Sequence, residues 1–311
     1  MDDQLCFVQF LHPGPEHKPD TEDQKYWNTG EHRRKFLHRP GRYIRNGCPV
    51  ETDIVFRGEW EPQSTVMKRI CYPVAGHPRF VYRPYYVVPE TGDCFQNTDP
   101  FVFGDRFLHI CCQQHRRGRP TQLRYLKEGS VLLFGSCLGK QFVLDTVFVV
   151  ASYEDCMPAN AAGVRMLIPP AYEDVTLNRI SPNLSYRLYA GASYSDPYRG
   201  MYSFFPCRPA VDCPNGFARP RITDPRFITD AHSQSYRLNR QQPLDDVRRL
   251  WEVVHDQVTR QHLDIGVYAQ VPDGQCSDGS PVTLKPRQDS GTSPFAPGCA
   301  GVRMTIPRRG C

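Results

Sequence analysis

Long apolar runs are missing from this chain. The most apolar stretch, Phe142 to Ala151, is interrupted by Asp145 and falls far short of the roughly 20 residues a membrane-spanning helix needs. An integral membrane protein is therefore not expected. An export signal is missing too: Met1-Asp2-Asp3-Gln4 opens acidic, and Leu5 to Leu11 is too short and polar for the apolar core of a signal peptide. Metal-binding cysteine pairs are also lacking. Thirteen cysteines are scattered over 311 residues, and the nearest groupings, Cys111-Cys112 and Cys207 with Cys213, complete no structural zinc site. The expectation is free thiols in a reducing compartment, the cytoplasm, with no metal.

The short signatures of common enzyme classes are absent as well. No G-x-x-x-x-G-K-[ST], G-x-G-x-x-G after a strand, H-E-x-x-H or G-x-S-x-G occurs, so no phosphate loop, dinucleotide fold, zinc protease or serine hydrolase is indicated. No cofactor is expected.

Proline and glycine, by contrast, are plentiful at 29 and 23 residues, and they break most apolar runs before a long helix could form. Apolar residues make up 40% and charged residues 23%, ordinary for a globular chain, while the mean hydropathy of −0.53 implies a polar surface. The expected class is α+β and β-rich: a central pseudobarrel or compact mixed sheet with long loops and one clear C-terminal helix. Residues 1–156 are expected to hold an N-terminal segment and the barrel-like core. Residues 157–311 are expected to form an α+β region that either stands apart or joins the same domain.

Strands are expected at Cys6–Phe10, Asp53–Gly58, Phe107–Cys111, Ser130–Ser136, Phe142–Val150, Leu188–Ala192 and Gly200–Phe205. The continuous apolar character of the 130–150 pair implies burial on both faces. A helix is expected after Pro243, with Asp245 and Asp246 at its positive end, a stripe of Val247, Leu250, Trp251, Val254 and Val258, and Gly266 as the stop. Residues 272–299 read as a long loop.

The net charge of +5 is mild, but its distribution is uneven. Basic residues gather at His32 to Arg39 and at His115-Arg116-Arg117-Gly118-Arg119. Arg33, Arg34, Lys35, Arg116, Arg117 and Arg119 are therefore candidates for phosphate contacts, the alternative being solvated loops. Asn97, Asp99 and Asp105 lie among the aromatic residues of the 95–107 segment, the mixture a base-stacking pocket requires; a local Asp-Pro turn is the competing reading. Trp27, Asn28, His32 and Trp60 could stack on or hydrogen-bond a base, though each Trp could equally be core. Asp145 among apolar neighbours must find hydrogen bonds and a cation or shift its protonation, which makes it a site candidate; the alternatives are that strand alternation turns it towards an edge or that an Arg satisfies it structurally. With Asp99, Asp105 and Glu59 it completes the carboxylates that could stabilise charge or activate water.

The passage Leu123-Arg124-x-Leu126-x-x-Gly129-Ser130, followed by Leu132-Leu133-Phe134-Gly135 and Phe142 to Val147, resembles PUA- and EVE-like barrels. It also resembles bacterial nucleotide-modification-associated domains. The resemblance covers a fraction of the chain and no catalytic motif. It implies a pseudobarrel that binds nucleobases, often modified ones, in systems that make or police altered DNA, including antiviral defence. Three functions stay open: a nucleic-acid or nucleotide reader, an enzyme acting on a nucleotide or a base N-glycosidic bond, and an adaptor with a protein partner.

Overall fold

Near-continuous burial along the central strands lets sheet and helix pack from both sides. The computed structural model describes residues 4–12, 34–71, 73–74, 76–87, 98–157, 168–180, 183–229 and 236–275. Its first sheet runs β14-β1-β10-β11-β12-β7. The strands are β1 (Cys6–Leu11), β7 (Leu108–His109), β10 (Val131–Leu138), β11 (Gln141–Cys156), β12 (Tyr186–Gly191) and β14 (Tyr236–Arg240). The β10–β11 hairpin turns at Gly139 and Lys140, whose φ values of 58° and 62° suit the two-residue turn that matches strand twist.

The middle of this sheet is buried on both faces, as the apolar run implies. Leu132, Phe134, Phe148 and Val150 pack on one side with Trp60, Phe101 and Phe103. Val131, Leu133, Val147 and Val149 pack on the other with the buried stripe of α2 (Leu244–Arg260), from Val247 to Val258. Trp251 adds an indole hydrogen bond to the Tyr202 carbonyl at 2.9 Å. The helix stops at Arg260 rather than at Gly266, because His262 takes a positive φ of 59° and the chain reverses into a strand. A second, one-turn helix, α1, spans Pro170–Val175.

The second sheet runs β15-β13-β3-β2-β5-β4, from β2 (Arg34–Arg45), β3 (Cys48–Glu59), β4 (Ser64–Arg69), β5 (Phe80–Pro84), β13 (Phe205–Pro209) and β15 (Asp264–Ala269). β15 also pairs with β2, so β2, β3, β13 and β15 close into a ring. Gly266 stands at the closure, opposite Phe205 on one side and Tyr43 on the other, and a Cβ there would enter the Phe205 ring. Short pairs complete the strand list: β6 (Tyr86–Val87) with β16 (Gly274–Gln275), and β8 (His115–Arg116) with β9 (Arg119–Pro120).

The protein is thus β-rich α+β with mixed sheets and one long helix. The ring draws on both ends of the chain rather than on residues 1–156 alone. Strands beyond residue 157 pair with β1, β2, β3 and β11, so the two halves of the chain build the same sheets. Among the described residues no helix is long and apolar enough to cross a membrane.

Candidate functional site: a buried arginine–carboxylate cluster

Asp145 owes its position to a β-bulge. Phe134 pairs with Thr146 and Gly135 with Leu144, which leaves Asp145 as the extra residue of β11. Across it the face packed towards α2 switches from the even-numbered Phe142 and Leu144 to the odd-numbered Val147 and Val149. Gly135 permits this irregularity, since a Cβ there would collide with the Val143 carbonyl and the Phe142 ring.

Three guanidinium groups converge on this carboxylate. Arg219 grips it with two hydrogen bonds, Nε to Oδ1 at 2.6 Å and Nη2 to Oδ2 at 2.7 Å. Arg34 Nη1 reaches Oδ2 at 3.2 Å, and Arg57 Nε lies 3.8 Å from Oδ1. Arg34 comes from the start of β2 and Arg57 from the end of β3, brought close by the pairing of Arg34 with Glu59 and of Phe36 with Arg57. Arg219 lies in an irregular segment stitched to β11 by Leu144 N–H to the Pro220 carbonyl and Ile222 N–H to the Phe142 carbonyl. Ser136 Oγ accepts from both Arg219 Nη2 and Arg34 Nη1.

Glu59 extends the network. It accepts from Arg34 Nε at 3.3 Å and faces His12 Nδ1 at 2.7 Å. Arg34, Arg57, Glu59, Asp145, Arg219 and His12 are all buried. Charges withdrawn from water are tolerated only when paired in good geometry. Burial, with Arg57 and Arg34 adding repulsion, outweighs the attraction of Asp145 and pulls the Arg219 pKa down to about 9. Arg34 Nη2 is buried and has no hydrogen-bond partner. Guanidinium forks present the donor geometry that oxyanions match.

The remaining candidates are distributed as follows. Lys35 is fully buried and donates Nζ to the Pro62 carbonyl, so neither it nor Arg34 forms the exposed basic surface expected from the sequence. Trp60 is core: its indole N–H bonds the Gln63 carbonyl at 2.8 Å and its ring meets Phe103 edge-on, leaving no face for a base. Asp105 is exposed on an open cleft of about 560 Å³, near Arg42 and Tyr268. Arg42 is eight residues along β2 from Arg34, about 26 Å at 3.3 Å per residue. Arg116, Arg117 and Arg119 are exposed on the β8–β9 hairpin. Trp27, Asn28, His32, Arg33 and Asn97 lie outside the described residues.

Asp99 belongs to a different centre. Its carboxylate accepts backbone N–H bonds from Ile110, Cys111 and Cys112 at 2.7 to 3.0 Å and pairs with His109 Nδ1 at 3.0 Å. Burial alone would raise its pKa, but His109 and these donors outweigh burial and hold it below the ordinary carboxylate range. Cys111 and Cys112 lie close enough to share a metal with Asp99, yet Oδ2 already accepts His109, two amides and the Cys111 thiol. The three backbone donors and His109 make Asp99 the structural anchor of the 99–112 loop.

Arg57, Arg219 and Ser136 carried no signal in the sequence. The nine cysteines among the described residues are free thiols. Neither family models, nor curated proteins, nor solved structures contain a match to this chain.

Proposed function

We propose that the protein binds a nucleotide or nucleic acid and that the Arg34, Arg57 and Arg219 cluster receives a phosphate. The observation that carries this reading is Arg34 Nη2, a buried donor without a partner among three guanidinium groups that face two carboxylates, Asp145 and Glu59. A phosphoryl group would complete that donor, and Arg is the residue whose planar fork suits it. Calorimetric titration of the full chain with a nucleoside monophosphate and with inorganic phosphate tests it. Saturable binding that Arg34→Lys weakens tenfold or more is expected. Absence of binding to either probe at millimolar concentration would overturn the reading and leave the cluster as a structural ion network.

A second, catalytic reading draws on the close His12–Glu59 pair at 2.7 Å, one carboxylate away from Asp145 through Arg34. A carboxylate beside imidazole is an acid–base unit that could assist cleavage of a base N-glycosidic bond. Mass spectrometry of nucleotides and of modified and unmodified DNA incubated with the protein would reveal a released base. Binding without release favours the reader.

A further inference from the structure

The structure assigns a second contact surface: we infer that the β8–β9 hairpin is a docking element for the phosphate backbone of a nucleic-acid strand. It goes beyond the phosphate site above, because it lies elsewhere. The hairpin base abuts β12 through Gln114 and Arg187, and Arg187 pairs with Asp155 near the end of β11. Asp155 is ten residues along β11 from Asp145, at most about 33 Å at 3.3 Å per residue.

Three observations carry the inference. The first is charge presented without compensation: Arg116, Arg117 and Arg119 are exposed, and among the described residues no carboxylate is paired with any of them. Asp155, which pairs with Arg187 at the hairpin base, is already shared by Arg187 at 3.2 Å and Arg124 at 3.6 Å. The second is placement against local preference. Arg116 and Arg119 are direct partners across the two strands, and like charges directly opposite destabilise a ladder. Arg117 sits at a positive φ of 54° beside Gly118 at 74°, a tight turn that makes the cations the outermost groups. A fold that spends stability at one rung without a packing return does so at functional positions.

The third observation is rigidity at the base. Gln114 is fully buried and holds β12 with both ends of its amide, Nε2 to the Arg187 carbonyl at 2.6 Å and the Arg187 N–H to Oε1 at 2.9 Å. Thr121 N–H returns to the Gln114 carbonyl at 2.8 Å, and the His115 ring packs edge-on to Tyr186. A preorganised turn loses little entropy on docking. Its chemistry also selects the partner. A membrane-binding tip adds apolar residues for insertion, and Arg116-Arg117-Gly118-Arg119-Pro120 offers no large one. An extended row of phosphates is the matching surface.

The test compares the full-length protein with a variant carrying Arg116→Ala, Arg117→Ala and Arg119→Ala. Affinity for a labelled single strand of about 20 nucleotides, and for the corresponding duplex, is measured between about 50 and 200 mM salt. The variant should melt no lower than the parent, since the opposed like charges are removed, yet bind more weakly, and its log affinity against log salt should be shallower by about 2 for the single strand, three contacts at roughly 0.7 each. Replacing all three by Lys should retain the slope. Unchanged affinity and slope in the Ala variant overturns the inference, as does hairpin-dependent binding to phosphatidylserine vesicles with none to nucleic acid. Mononucleotide binding should be the same in parent and hairpin variant. Its loss in Arg34→Lys alone, or its absence altogether, bears on the phosphate site and leaves this surface standing or falling by the polymer data.

Discussion

Asp145→Asn keeps the shape of the side chain and removes the charge that Arg219, Arg34 and Arg57 share. The guanidinium groups would then be left in a buried site without their counter-charge, and breaking one partner of such a pair costs about 3–5 kcal/mol. Urea denaturation of parent and variant should show that loss as a lower midpoint at unchanged slope. A midpoint equal to the parent's would mean that water reaches the cluster. At the Asp99–His109 pair, burial alone would lower the His109 pKa, but Asp99 outweighs it and the net shift is upward. A histidine raised in the folded state contributes stability that is complete below its unfolded pKa of about 6.5 and lost as pH rises through the folded value. His115 and His255 are shifted down by burial and act with the opposite sign, so the informative quantity is a difference. The stability advantage of the parent over His109→Gln should shrink as pH is raised above about 6.5, read from urea midpoints across that range. An advantage that grows with pH would contradict the assigned ion pair.

At the scale of elements, the ring of β2, β3, β13 and β15 depends on one residue without a side chain. Gly266→Val would drive its side chain into the Phe205 ring and crowd the rung facing Tyr43. Overpacking of this kind costs about 1–3 kcal/mol, and the variant should melt lower while α2 keeps its circular dichroism. An unchanged melting temperature would show that Phe205 can swing aside. The elements differ in how far the sequence disclosed them. β10, β11 and α2 were legible because apolar continuity and helical spacing are local signals. β2 was not, since His32 to Arg39 reads as a solvated basic run. Its burial is decided by Glu59, Asp145 and Pro62, which lie 25 to 111 residues away. The site shows the same division. Asp145 announced itself as a carboxylate in an apolar strand, whereas Arg219 could be recognised only after Pro220 and Ile222 had been hydrogen-bonded along β11.

On the scale of the whole molecule, the pairings join residues far apart in the chain. β1 meets β14 with Phe7 opposite Asn239, and β2 meets β15 with Ile44 opposite Ile265. Loop closure over such separations is costly in entropy before the contacts can reward it, so refolding is expected on the slow side of the millisecond-to-second range, with an intermediate detectable by stopped-flow fluorescence. A single fast phase would argue that the sheets form locally and dock. The ring closure at Gly266 has a further implication for biosynthesis. A ribosome emits the N-terminal strands first, at about 5–20 residues per second. The 41–44 stretch of β2 must therefore wait about ten seconds or more with one edge unmet, until the segment carrying Gly266 has emerged. During that interval the unpaired edge of β2 is the part of the nascent chain most exposed to pairing with another molecule, and it is where a chaperone would have the most to protect.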